Sequence, residues 1–477
     1  MNRKELADAF RTLGLTQGDK VLFHSSFISL GQVEGGPDTV IDAFLDVIGP
    51  QGTLLVPVFG KLGLLTETLK ARPGAIISPC PVGTLAAIGA DAEAICHDHW
   101  KAATAHGDDT PFTRLAKMGG YVCLIGVDQD RNTSLHGIEA LLQLPYLKDT
   151  TATFTTPEGE TVTKTWKYYP GPHRDFIGLD KVFRESGVEK VMRIGNAQVR
   201  LMKSAEMFRI GLELGKKDPA FALCDNPACE DCVRQRAAIY ADRMAHESFK
   251  LTASSRLAGR YVPEMVENLQ AAGISYIELD YVQGKACVFM PAAKLKSIVD
   301  ELTAGGIHVS ALRAEVVPDD HEALVTLAKE AGIGRLILPL GENEAAEAAV
   351  TAGLEVAFAN SNQTSAHASQ MLNAFRASHP ATFCFNPPAF VKAGEYPFLK
   401  SWRVGRFIKT IGQLDLGDAL WNGTPTRFAC GNGTFKEMVS ILRCHNFSGW
   451  FCLGGGAFYP GSLKEAAQDF AQALDEI

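Results

Sequence analysis

Tyr121-Val122-Cys123-Leu124-Ile125-Gly126-Val127, followed by Asn132-Thr133-Ser134-Leu135-His136-Gly137-Ile138-Glu139, is the stretch that decides how the first half of this chain folds. The apolar run has the length and composition of a buried strand. The polar stretch behind it is expected to open a helix at that strand's carboxyl end, the edge at which open α/β sheets bind ligands. On a helix His136 and Glu139 are three residues apart and share a face. A carboxylate beside an imidazole orients it and raises its basicity, as a general base requires. Taken alone, the pair reads equally as an ordinary hydrogen-bonded pair on a surface helix.

Working upstream, Val21-Leu22-Phe23-His24-Ser25-Ser26-Phe27 leads to Ser29-Leu30-Gly31 and Glu34-Gly35-Gly36-Pro37, then to a helical pattern over residues 39–48. Val82-Gly83-Thr84-Leu85-Ala86-Ala87-Ile88-Gly89 and His106-Gly107-Asp108-Asp109-Thr110-Pro111-Phe112 come later, before the His136 stretch. In order and spacing these pieces resemble the aminoglycoside 3-N-acetyltransferase family, over about residues 1–250. The resemblance implies an α/β/α sandwich that takes acetyl-coenzyme A as donor and a small-molecule amine, of aminoglycoside or amino-sugar type, as acceptor. It makes His136, with Glu139, the candidate to deprotonate the amine, and Asp175 a substrate-side acid. A helix N-cap is the other reading of Asp175.

The residues themselves agree with a phosphate-bearing ligand. Ser25, Ser26, Gly31, Gly35 and Gly36 fall in one strand-to-helix connection whose small side chains let backbone N–H groups approach a pyrophosphate. Thr110 and Phe112, around Pro111, are further candidates for the same ligand. Each of these residues alone also reads as a plain turn. Two stretches depart from the family pattern, Cys80-Pro81 and Thr66-Glu67-Thr68-Leu69-Lys70, both where an acceptor would be contacted, so the acceptor is left open.

From about residue 249 the rhythm changes to strand and helix in even alternation. Eight strands are expected over residues 250–253, 276–280, 308–312, 335–339, 355–359, 382–385, 408–414 and 450–453. Helical patterns over 263–272, 292–303, 320–331, 344–352 and 463–474 separate most of them. That number and length match a (β/α)8 barrel, so two domains are expected, residues 1–249 and 250–477. Gly273-Ile274-Ser275-Tyr276-Ile277-Glu278-Leu279 and Gly431-Asn432-Gly433-Thr434-Phe435 resemble xylose-isomerase-like sugar isomerases and epimerases. The related enzymes hold a divalent metal at the carboxyl ends of strands five to eight. Here those ends read Ala359-Asn360, Asn386-Pro387, Gly412-Gln413 and Leu453-Gly454, with Asp415 beyond the seventh strand. One aspartate does not hold a hard divalent cation, so the barrel is expected to bind or assemble rather than isomerise. Asn360, Asn362, Asn386 and Gln413 are candidates for hydrogen bonds to a sugar-like ligand.

Most of the eleven cysteines are scattered, Cys123, Cys287, Cys384 and Cys452 among them in apolar runs that read as buried thiols. Cys224-x4-Cys229-x2-Cys232 is different: three thiols within nine residues suit one metal ion. Tetrahedral zinc needs a fourth ligand, with His173 and His246 as candidates. An iron–sulfur cluster and an ordinary reduced loop are the alternatives.

A net charge of −8 without a basic run argues against nucleic acid or an anionic membrane as partner. Met1-Asn2-Arg3-Lys4-Glu5-Leu6 is not a signal-peptide core, and no run of about twenty apolar residues exists to span a bilayer. The expected compartment is the cytoplasm, and a homo-oligomer is left open. Against the enzyme stands one competing reading, a non-catalytic carbohydrate-binding or scaffold protein. His136, Glu139 and the glycine-bearing connection favour the enzyme.

Overall fold

In the strand Tyr121–Ile125 successive side chains enter different cores. Cys123 and Ile125 pack into one cluster, Val122 and Leu124 into another. Val21 and Phe23 are divided from Leu22 in the same way, as are Leu54 and Val56 from Leu55. Strands covered on both faces show this division, and a three-layer α/β/α sandwich follows from it. These layers belong to a computed structural model that describes every residue except Lys61, Pro172, Pro227 and Ala457. The chain divides into two units, Met1–Gln235 and Arg236–Ile477.

The first unit contains β1 (Lys20–Ser25), β2 (Thr53–Pro57), β3 (Ile76–Ile77), β4 (Leu85–Gly89), β5 (Tyr121–Ile125), β6 (Lys148–Thr155), β7 (Thr161–Tyr168), β8 (Glu189–Ile194) and β9 (Ala197–Lys203). Seven of these form one sheet in the order β3-β4-β2-β1-β5-β9-β8. β1 runs parallel to β2 and β5, whereas β4 and β9 are antiparallel to the strands they join. The helices Arg3–Leu13 and Pro37–Ile48 cover one face, with Phe10 stacked on Phe44 at 3.9 Å between ring centres. Phe112, Leu115, Ile138, Phe183 and Phe208 fill the other face. β6 and β7 pair as an antiparallel hairpin. It is stitched by hydroxyl pairs at Thr151–Thr165 and Thr153–Thr163, each 2.7 Å.

The second unit is a closed barrel of eight parallel strands: Lys250–Ser254, Tyr276–Leu279, His308–Arg313, Arg335–Pro339, Glu355–Ala359, Thr382–Phe385, Ile411–Leu416 and Trp450–Leu453. The alternating sequence places every strand, but the seventh starts later than the expected 408–414. Phe407–Lys409 is a 3-10 turn entered through Arg406 in the left-handed region (φ 50°). Phe407 is apolar because it stacks on Phe383 at 4.2 Å, not because it belongs to the strand. Asp415 therefore lies within the seventh strand rather than after it.

That shift matters to the barrel interior. Asp415 faces Glu278 of the second strand, a second carboxylate absent from the expected ligand positions, and Cys452 lies within 4.8 Å of both. An arginine occupies the middle of this group. Arg313 donates from Nε to Glu278 and from Nη2 to Asp415 at 2.7 Å. Gln413 donates to both carboxylates at 2.7 and 2.9 Å and accepts from Arg335 at 2.8 Å, so its amide is fully used inside the protein. The Asn360 side chain donates to the Asn386 carbonyl and accepts from the Asn386 N–H, the Asn386 side chain donates to the Gly456 carbonyl, and Asn362 is exposed. A guanidinium thus bridges the two acids that a cation would otherwise meet. Among the described residues no helix is long and apolar enough to cross a membrane.

Removing one member of a buried ion pair strands the others without counter-charge. Arg313→Met is expected to cost about 3–5 kcal/mol, read as a lower urea midpoint for the transition that unfolds the barrel. An unchanged midpoint would mean that the pair contributes nothing to stability.

Candidate active site

The His136 helix is set against the sheet by two close backbone approaches. Gly126, directly after β5, has φ +62°, and a Cβ there would collide with the Ser29 hydroxyl. Its N–H donates to the Gln198 carbonyl at 2.8 Å. The chain then passes through the 3-10 turn Thr133–Leu135 into the helix His136–Leu141. A Cβ on Gly137 would lie 2.7 Å from the His106 carbonyl and 2.8 Å from the Phe208 ring, so glycine lets the first turn pack onto both.

His136 is only 14% exposed and Glu139 is fully buried, so the pair is not an ordinary surface contact. Glu139 Oε2 lies 2.6 Å from His136 Nδ1. The other oxygen, Oε1, accepts from Tyr146 at 2.8 Å and from Arg174 Nε. Tyr169, delivered by the end of β7, stacks flat on the imidazole at 3.4 Å with 3° between the planes, and Phe176 meets it edge-on at 5.0 Å. His136 Nε2 makes no hydrogen bond among the described residues.

The electrostatics divide the two groups by charge. Burial works to raise the Glu139 pKa, but contact with His136 and the Arg174 charge overcomes it and leaves the carboxylate below its usual range. Burial lowers the His136 pKa; the hydrogen bond and charge of Glu139 raise it, and the net is below the ordinary histidine value. Near neutral pH this gives an ionised Glu139 and a neutral imidazole, oriented through Nδ1 with a lone pair on Nε2. His106, 5.8 Å away between ring centres, is pushed far down by burial and by the charges of His136 and His99, so it stays neutral too.

Ser25, Ser26, Gly31, Gly35 and Gly36 all lie on the connection from β1 to the helix Pro37–Ile48. Ser25 is in register with Ile125 of parallel β5, so this connection and His136 leave the same carboxyl edge of the sheet. Gly31, Gly35 and Gly36 have φ of +81°, +79° and +75°. No atom lies within 4 Å of where a Gly36 Cβ would be, so the helix start is open there. Thr110 is buried and donates its hydroxyl to the Gly107 carbonyl at 2.7 Å, and Phe112 is buried 4.8 Å from the His106 ring. Both support the His106 turn.

Asp175 is exposed, and the N-cap of the following helix is Phe176. Its neighbour Arg174 is the residue that turns inward to Glu139. Arg174, Tyr146, Tyr169 and His106 had no local signal as a set, because they come from separate segments; the doubled Tyr168-Tyr169 at the hairpin's end was the one cue. Cys80 is a buried thiol donating to the Val82 carbonyl at 3.0 Å, with its pKa pushed up to about 11 by burial. Cys224, Cys229 and Cys232 come together with His173, whereas His246 bonds the Asp242 carbonyl instead.

With this geometry in view, known proteins identify the class. The sequence profile of the aminoglycoside 3-N-acetyltransferase family matches residues 22–62 and 59–214. Aminoglycoside N(3)-acetyltransferase VII of Streptomyces paromomycinus is 37% identical over 181 residues, 30% of this chain and 62% of that enzyme. Aminoglycoside N(3)-acetyltransferase IX of Micromonospora chalcea is 31% identical over 245 residues, 44% of this chain and 83% of that enzyme. A crystal structure of an aminoglycoside acetyltransferase bound to gentamicin superposes with a TM-score of 0.47 at 29% identity, covering 50% of this chain and 97% of that one. The chain belongs to the aminoglycoside 3-N-acetyltransferase family. It is an N-acetyltransferase of that class, and the competing scaffold reading is not favoured.

Glu139 raises the basicity of His136, so removing its charge has a predictable sign. In Glu139→Gln the Arg174 charge is also left uncompensated, and both changes lower the His136 pKa further. The acid limb of kcat/KM is expected to move to lower pH while the plateau falls, because a weaker base accepts a proton less readily. A pH profile with its limb in the wild-type position would separate Glu139 from the titrating group.

Proposed function

We propose that this protein transfers the acetyl group of acetyl-coenzyme A to a primary amine of an aminoglycoside or amino-sugar-like acceptor, with His136 as general base. An ammonium group has no lone pair with which to attack a thioester. His136 Nε2 takes the proton from the amine nitrogen, which then attacks the thioester carbon. The C–N bond forms, the tetrahedral intermediate collapses with cleavage of the C–S bond, and the products are the amide and the coenzyme A thiol. Glu139 holds the imidazole in the tautomer that leaves Nε2 unprotonated and stabilises the imidazolium that forms. The observation that carries this reading is the buried 2.6 Å contact at Nδ1 opposite an uncommitted Nε2.

The connection from Ser25 to Gly36 is our candidate for the coenzyme's pyrophosphate, through backbone N–H groups at the start of the helix Pro37–Ile48. Thr110 and Phe112 act by holding the His106 turn beside His136, and Asp175, which is exposed, remains a substrate-side candidate. We assign Cys224, Cys229 and Cys232 to one zinc ion. We read the barrel as a module that works without a metal of its own, because Arg313 already occupies the space between Glu278 and Asp415 and pairs with both. Cytoplasmic location fits the substrates.

His136→Ala is expected to lower turnover by roughly 10²–10⁴-fold, the usual range for loss of a general base, with little change in acetyl-coenzyme A affinity by calorimetry. Near-wild-type turnover on the acceptor would remove His136 from the mechanism.

A further inference from the structure

We propose that His173 completes the zinc site of Cys224, Cys229 and Cys232, and that this metal-bound cluster holds in place the segment that supports His136. The second half of the proposal rests on His136 being the base; the first half does not.

The donor geometry carries the site. The ligand atoms of His173, Cys224, Cys229 and Cys232 all lie within 4.8 Å of one another. His173 Nδ1 is 3.2 Å from Cys232 Sγ and 3.3 Å from Cys229 Sγ. With Zn–S near 2.3 Å and Zn–N near 2.0 Å, tetrahedral donors sit about 3.5–3.8 Å apart, so small movements would seat an ion. Four donors this close enclose one ion; an iron–sulfur cluster spreads its ligands farther. Three thiolates and one imidazole form a donor set of the structural zinc type.

The link to the catalytic pair runs along the backbone. The segment from Tyr169 to Phe176 is tied to the cysteine loop at several points. The His173 N–H donates to Asp231 at 3.3 Å, Gln235 donates to the Pro170 carbonyl at 3.2 Å, and the Asp175 N–H donates to the Ala222 carbonyl at 2.9 Å. A Cβ on Gly171 would run into the Asp231 carboxylate at 2.4 Å, so glycine is what permits the approach. The same segment sends three side chains the other way: Tyr169 onto the His136 face, Arg174 to Glu139, and Phe176 against the imidazole edge. His173 and Arg174 are adjacent, and the His173 carbonyl accepts from Arg174 Nη1 at 2.6 Å. A ligand on one residue therefore fixes the next. His173 is a positioning residue, two steps removed from the reacting atoms.

The test uses the full chain. Elemental analysis of gently purified, reduced protein should find about one zinc per chain. Cobalt substitution should give the visible bands of a tetrahedral thiolate-rich site, altered in His173→Ala and lost in Cys229→Ser. Removal of the ion with a chelator should lower kcat on the order of 10–100-fold, as expected when an oriented catalytic group is displaced. KM for acetyl-coenzyme A should change little, and added zinc should restore kcat. Absence of metal, or a cobalt spectrum unchanged in His173→Ala, overturns the site. Full kcat in metal-free protein overturns the positioning role. A metal-loaded protein in which His136→Ala keeps full turnover would instead fault the general-base assignment and leave the site standing.

Discussion

A carboxylate buried without water must be surrounded by donors, and Glu139 sets that constraint for the whole transferase site. It is reached by an imidazole, a phenol and a guanidinium, from the helix His136–Leu141, the turn that follows it, and the segment after β7. Each donor lowers the cost of keeping the charge in the interior. Together they fix the three segments relative to one another. Holding the charge and orienting the imidazole are thus a single arrangement, and what is left over is His136 Nε2.

The barrel meets the same constraint with the opposite result. Glu278 and Asp415 are as deeply buried as Glu139. Their partners, Arg313, Gln413 and Cys384, lie inside the ring of strands and converge on Glu278 and on one oxygen of Asp415. Where the first unit ends its network on a titratable group facing outward, the second ends on guanidinium groups that do not titrate. A site that leaves an imidazole nitrogen uncommitted and an interior closed by guanidinium groups use the same chemistry.

Much of this was legible in the sequence, for reasons that follow from range. His136 and Glu139 are three residues apart on one helix, so local periodicity alone brings them together. Seven barrel strands start where short apolar runs mark them, because such a run needs no knowledge of its neighbours. The seventh strand was expected too early, from Ile408, since an apolar residue in a turn looks the same as one in a strand. Arg174 and Tyr146 were not legible as partners of Glu139, nor Tyr169 as the ring on His136, nor Arg313 as the partner of Glu278. The hydrogen-bonded pairings among these span from 7 to 35 residues of sequence and exist only once the chain is folded. His173 lay between the two cases: the three thiols asked for a fourth ligand, but only the fold distinguishes His173 from His246.

The central claim is that the carboxyl edge of the first unit's sheet transfers an acetyl group to an amine through His136. The most direct measurement is release of free coenzyme A thiol by the full chain, given acetyl-coenzyme A and a panel of aminoglycosides and simpler amino sugars. Thiol release that depends on the amine, with formation of the acetylated amine confirmed by mass spectrometry, is the predicted result. Tight binding of acetyl-coenzyme A with no amine-dependent thiol release across the panel would contradict the account.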